Sequence, residues 1–190
     1  MLQMVLGLML LLGIHSVALV SPTGRDRLAA RLGEGPWKGL YSLVAVAGLW
    51  LVVGGFAAAR AAGPVLYASN AAMRGAAMVL MLLALPCLWA SFLPGAIQRT
   101  LRHPMLTATK AWAVAHLLAN GSAADVVLFG SLLVWAVAER ISLKRRPERA
   151  RAMAPPSRYN DGLAIVLGLA SYAILVGGLH RWLFGVAPFG

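Results

Sequence analysis

Apolar residues fill most of this chain in runs, and the runs are longer than any one face of a soluble helix requires. A transmembrane helix needs about 20 consecutive apolar residues. On that criterion the pattern predicts six spans: 2–20, 40–59, 72–92, 104–119, 125–141 and 163–183. Pro86 lies inside the third and should kink it, because proline removes a helical N–H and crowds the preceding turn. Pro104 fits the first position of the fourth span, with His103 just outside it. Gly121 and Ser122 mark a tight turn, and Ser122 with Asp125 fits a capping box that opens the fifth span. Alternation with period two, heptads and internal repeats are absent. The predicted fold is therefore an all-α, polytopic membrane helical bundle, a single domain over residues 1–190.

Composition agrees with the pattern. The chain is 60% hydrophobic and 12% charged, with a mean hydropathy of +0.76. A soluble domain carries roughly 25% charged residues. The single cysteine, Cys87, sits in an apolar run and reads as packing. The N-terminal run resembles a signal peptide, but no basic residue precedes it and the first is Arg25. An uncleaved first span with its N-terminus outside is the better expectation.

The net charge of +11 invites comparison with nucleic-acid binders, and its distribution argues against that class. With six spans, fourteen of the seventeen basic residues fall on one side. Arg60, Arg74 and Arg181 alone fall on the other. The positive-inside rule then puts both termini outside the cytoplasm, in a multi-pass membrane protein. The stretch 142–162 becomes a solvated, basic cytoplasmic loop. RDRLAARLGEG, from Arg25 to Gly35, suits a short helix lying on the membrane surface. The basic residues serve orientation and contact with anionic lipid, and no nucleic-acid partner is expected.

Ionisable groups at membrane depth are costly, so each is a functional hypothesis by default. The topology gives the histidines two depths. His15 ends the first span and His103 opens the fourth, both near the inner surface. His116 is thirteen residues farther along, about 20 Å deeper at ~1.5 Å per residue, and shares the outer level with His180. Two imidazoles at one level on different helices can hold a metal or haem iron. They can equally serve as a proton relay or as hydrogen-bonding glue between helices. His180, beside Arg181 and Trp182, fits an ordinary interfacial residue. Trp112, His116 and Asn120 share one helix face, as an interhelical pair or as the lining of a substrate pocket. Lys110 suits a snorkelling lysine, and Glu34 an ion pair between Arg31 and Lys38. Trp37, Trp89 and Trp182 fit interfacial anchors, and Gly48, Gly54, Gly55, Gly168, Gly177 and Gly178 fit close helix contacts. Paired carboxylates, CxxC, HExxH and phosphate-loop glycines are missing, and no acid sits mid-span. Soluble-type catalysis and ion-coupled transport are both disfavoured.

Several stretches resemble the NnrU family. They are His15-Ser16, RLGEGPWKGLYSLVAVAGL from Arg31 to Leu49, Ala59-Arg60, Arg102-His103-Pro104-Met105, Trp112, HLLANG from His116 to Gly121, and HRWLFGVAP from His180 to Pro188. The resemblance implies a link to nitrite and nitric oxide reduction. It also implies kinship with the cis-zeta-carotene isomerase, a membrane enzyme that uses haem b to isomerise a polyene. By that resemblance, haem b would be held by His15 and His103, with Arg31, Lys38 or Arg102 beside its propionates. The isomerase motif carries an arginine after His-Ser, where this chain has Val17, Ala18 and Leu19. Ser122 stands where members often have aspartate. Two other readings are a non-enzymatic partner in assembly of a respiratory reductase, and a membrane methyltransferase. The RHP element is distantly similar to that of the methyltransferases. The expected ligands are membrane lipids and a lipophilic small molecule.

Overall fold

Residues 1–146 and 153–188 are described by a computed structural model of the chain. Among them the regular structure is helical, apart from one isolated bridge between Val65 and Ser122. The first helix, α1, spans Leu2–Val20, as the apolar run predicts. Then come α2 (Pro22–Leu32), α3 (Glu34–Ala62), α4 (Ala71–Trp89), α5 (Ala96–Leu101), α6 (Pro104–Ala119) and α7 (Ala123–Ser142). Last is α8 (Asn160–Ile174), which runs through a kinked stretch, Leu175–Leu179, where Gly178 leaves helical geometry, into α9 (His180–Phe184).

Four of these segments are long and apolar enough to cross a membrane: α1, α3, α4 and the composite Asn160–Phe184. Helix α6 has 16 residues, and α7 carries Asp125, Glu139 and Arg140, so both fall short, one by length and the other by charge.

The chain separates into two units, Met1–Ala68 with Asn120–Glu148, and Ser69–Ala119 with Arg149–Gly190. In the first, α1 and α3 run antiparallel in backbone contact. A Cβ placed on Gly7 would lie 2.6 Å from the Val52 nitrogen, and one on Gly48 would lie 2.7 Å from the Leu11 nitrogen. Gly55 meets Met4 in the same way. Lipid tails are as apolar as leucine, so tight backbone packing is what holds such helices together. Helix α7 packs on both, with Phe129 edge-to-face against Phe56 at 6.3 Å. Ser21 caps α2 by accepting from the Gly24 N–H, and Pro22 takes the first turn. The capping box closes as predicted: the Ser122 hydroxyl accepts from the Asp125 N–H, and the Asp125 carboxylate accepts from the Ser122 N–H.

In the second unit, α4 packs against α6 and α8. Pro86 lies within α4, and Gly168 of α8 sits so close to it that a Cβ would overlap the proline backbone. Trp89 donates to the Ser171 hydroxyl across the same pair of helices, at 3.0 Å. The Asp161 carboxylate accepts from the Ala96 and Ile97 N–H groups and caps the short helix α5, which the apolar pattern does not predict.

Trp37 is buried within the protein, and Trp89 is bonded to a neighbouring helix. Two expectations change. A Cβ on Gly177 or Gly178 would meet nothing, so neither makes a close helix contact, and Gly178 instead kinks the chain. Glu34 pairs with Arg25 and Lys38, not Arg31. Within the predicted basic loop, residues 147–152 lie outside the described part of the chain. Ser142 still belongs to α7 and Asn160 already to α8.

Candidate functional site

Each histidine is placed by its local backbone. In the first unit, His15 occupies the last turn but one of α1. Its Nδ1 lies 2.7 Å from the Leu11 carbonyl oxygen. A carbonyl only accepts, so Nδ1 carries the proton and Nε2 keeps the lone pair of the neutral ring. Tyr41 of α3 and Trp135 of α7 flank the ring edge-to-face, with centroids 5.2 Å and 5.7 Å away. A ligating histidine needs this arrangement: one nitrogen tied to a fixed acceptor, the ring orientation locked, the other nitrogen presented.

One turn beyond Trp135, Glu139 accepts from the Arg146 guanidinium at 2.6 Å. The pair is largely buried, and the second Glu139 oxygen, Arg146 Nε and Trp135 Nε1 make no protein hydrogen bond. Sequence reading missed this group. It assigned Arg146 to a solvated loop, and a lone Glu at a helix end gives no sign that a residue seven positions on folds back over it.

The far end of the first unit holds Asn120. Its side-chain oxygen accepts from Arg60 at 3.1 Å, and its carbonyl accepts from the Tyr67 hydroxyl at 2.8 Å. Arg60 also lies 3.6 Å from the buried Asp125 carboxylate, which takes a 2.6 Å hydrogen bond from the Ser122 hydroxyl. Burial first, and the Asp125 charge second, raise the Tyr67 phenol pKa, so it stays a donor. This network ties the α3–α4 connection to the α6–α7 turn. Its chemistry is that of a brace, with one Asp125 oxygen left over.

In the second unit, His103 is buried at the entrance to α6. It is delivered by an unusual turn. Arg102 has φ +60° and ψ −40°, and the His103 N–H bonds to the Leu101 carbonyl at 2.7 Å. This is a γ-turn of the positive-φ kind, rare and strained for a residue with a Cβ. Such a conformation costs about 1–3 kcal/mol and persists only where its surroundings impose it. The His103 carbonyl then accepts from the Leu106 and Thr107 N–H groups and starts the helix.

His116 and His180 meet in the same unit, with ring centroids 6.4 Å apart. His116 Nδ1 faces the Trp112 carbonyl at 2.9 Å, and Trp112 stacks on the His116 ring at 4.8 Å. These two histidines, expected at one level, lie near each other, whereas Asn120 belongs to the first unit and accepts from Arg60.

The family model for the NnrU protein matches residues 3–188. The chain belongs to the NnrU family. No curated protein and no solved structure matches it. His15 lies in the first unit and His103 in the second. Among the expected propionate partners, Lys38 lies on the surface beside Glu34 at 3.4 Å. Arg31 is exposed in the last turn of α2, and Arg102 is exposed at the γ-turn. Among the described residues no three His, Cys, Asp or Glu side chains converge as a metal cage. A haem, which draws its equatorial donors from the porphyrin, needs only one or two axial imidazoles.

Proposed function

We propose that this chain is a haem-b protein of the bacterial inner membrane, with six spans and both termini outside the cytoplasm. His15 and His103 would hold the haem iron, and Arg31, Lys38 and Arg102 would be the cationic partners of its propionates. The observation that carries the reading is the fixing of His15: its Nδ1–H is spent on Leu11, its ring is wedged between Tyr41 and Trp135, and Nε2 is the nitrogen left for iron. The strained turn at Arg102 adds weight, since backbone strain concentrates where a side chain must be held in place. The charge asymmetry supports the orientation, because the cationic residues nominated for the propionates lie on the basic side.

Haem b would supply a redox-switchable Lewis acid beneath the inner leaflet. The protein would supply the rest: the imidazole of His15 oriented by Leu11, Tyr41 and Trp135, the buried His103, and cations at the surface. Its role is cis–trans isomerisation of a lipid-soluble polyene or support of nitrite and nitric oxide reduction. These share one requirement, a haem reached from the lipid phase. Detergent-purified protein should show a Soret band with six-coordinate, low-spin spectra, and His15→Ala or His103→Ala should remove that signature while the protein still inserts. Colourless protein that takes up no haem on reconstitution would contradict the proposal. A normal growth phenotype in both variants would favour an assembly partner with structural histidines.

A further inference from the structure

Helix α2 is joined to two helices long and apolar enough to cross a membrane, α1 and α3, by a single residue at each end. Ser21 caps its start, and Gly33 turns the chain into α3 at φ +88°, a conformation that favours glycine. One residue spans less than about 4 Å, so the 11-residue helix stays at the level where the bilayer meets water. Its packed face carries Ala29, 3% exposed, and Arg25. The Arg25 guanidinium turns inward, 3.2 Å from Asp26, 3.6 Å from Glu34 and 5.8 Å from the ring of the buried Trp37. Lys38 takes the other Glu34 oxygen at 3.4 Å. Asp26 and Glu34 are the only acids between residues 21 and 40, and these contacts commit them to Arg25 and Lys38. Arg27 and Arg31 are exposed, one turn apart, and among the described residues neither makes an ion pair.

From this arrangement we infer that the outer face of α2 binds an anionic phospholipid, with Arg27 and Arg31 holding its phosphate. Helical spacing orders the residues around α2: Ala29 and Arg25 toward the protein, then Leu28 and Leu32, then Arg27 and Arg31. Leu28 and Leu32 are 40% and 44% exposed, so the apolar row stays open beside the basic one. Four residues of helix rise about 6 Å, so the two arginine stems stand about 6 Å apart. Long side chains at that spacing converge on one phosphate, and the guanidinium fork matches its oxygens. The leucines beside them enter the acyl boundary, as in helices that lie in a membrane surface. A bilayer meets both rows at once, and the short joints at Ser21 and Gly33 keep the helix against it. Net charge decides between lipids, because a zwitterionic headgroup brings its own cation to the phosphate. The inference does not depend on the proposed haem, and Arg27 is not among the residues assigned to the propionates.

The test uses full-length protein, purified in neutral detergent, freed of bound lipid and titrated with phosphatidylglycerol or phosphatidylcholine, the bound lipid being counted by native mass spectrometry. Wild-type protein should hold phosphatidylglycerol at least about 10-fold more tightly than phosphatidylcholine. Arg27→Gln should weaken phosphatidylglycerol binding about fivefold, and Arg27→Gln with Arg31→Gln about 25-fold, at about fivefold per basic residue near an anionic surface. Phosphatidylcholine binding should not change in either variant. Leu28→Ser with Leu32→Ser should weaken both lipids alike. Arg181→Gln, at an exposed cation of α9, should leave binding unchanged. The proposal is overturned if wild-type protein does not distinguish the two lipids, or if the double arginine variant holds phosphatidylglycerol as wild type does. It is also overturned if Arg181→Gln weakens binding as much as Arg27→Gln, since attraction to the net charge of +11 would then have no fixed place. The comparison of lipids needs no variant, so misfolding of a mutant does not shelter the idea. Failure of the haem proposal would appear as a missing Soret band and would leave the effect of Arg27→Gln untouched.

Discussion

His15 sits in an unbroken helix, and no residue from 2 to 20 has a positive φ. Its position follows from the packing of α1 on α3 through Gly7, Gly48 and Gly55, with Tyr41 and Trp135 closing around the ring. In the second unit two of the three histidines, His103 and His180, are set by breaks in the backbone. Arg102 is forced to positive φ ahead of His103, and Gly178 and Gly185 bracket His180. One unit orients an imidazole by where its helix packs, and the other by where its helix is broken. The first mechanism spreads the positioning over many contacts. The second concentrates it in a few residues whose substitution should act locally.

That contrast predicts three mutational signatures of decreasing size. Gly48→Leu drives a side chain into the α1 backbone, 2.7 Å from the Leu11 nitrogen, and should destabilise the first unit by at least about 3 kcal/mol. Unfolding in mixed detergent would measure it. Gly178→Val meets no steric obstacle but must hold a β-branched residue at φ +141°. It should cost about 2 kcal/mol or straighten the turn. A spin-label pair on α6 and α9 would report the straightening as a lengthened distance, with the first unit unchanged. If Gly178→Val loosens both units equally, the local character of the second mechanism is wrong. Arg102→Gly should stabilise by up to about 1 kcal/mol, because glycine relieves the strain before His103. A loss of stability would mean that the guanidinium has a partner worth more than the strain.

Much of the helical frame was legible because long apolar runs are bounded by proline, glycine and polar residues that mark helix ends. The predicted limits Leu2–Val20 and Pro104–Ala119 coincide with α1 and α6. The shared level of His116 and His180 followed from counting residues along helices, and the rings do meet. Other features lay beyond pattern reading. Helix α5 is too short for a periodic signal and forms because Asp161, from a distant segment, caps it. Trp37 and Trp89 were assigned to the interface by their distance from span ends, yet burial and a hydrogen bond to Ser171 decide their places. Gly178 reads in sequence like any small residue at a helix contact. Its role rests on a dihedral angle, which apolar periodicity does not encode. The Glu139–Arg146 pair was invisible for a related reason: the pattern ended α7 near Ile141, and nothing in the sequence shows the chain doubling back.

The common element of three histidines is the tautomer. His15, His116 and His180 each give Nδ1–H to a carbonyl, and at His15 the Nε2 is the nitrogen proposed to face iron. Ring-15N histidine spectra of the metal-free protein, recorded where the rings are neutral, test this directly. The account predicts protonated Nδ1 and pyridine-type Nε2 resonances for all three, each assigned by loss in the matching alanine variant. A protonated Nε2 at His15 would contradict it, because the nitrogen facing the proposed haem would then carry a hydrogen instead of a lone pair.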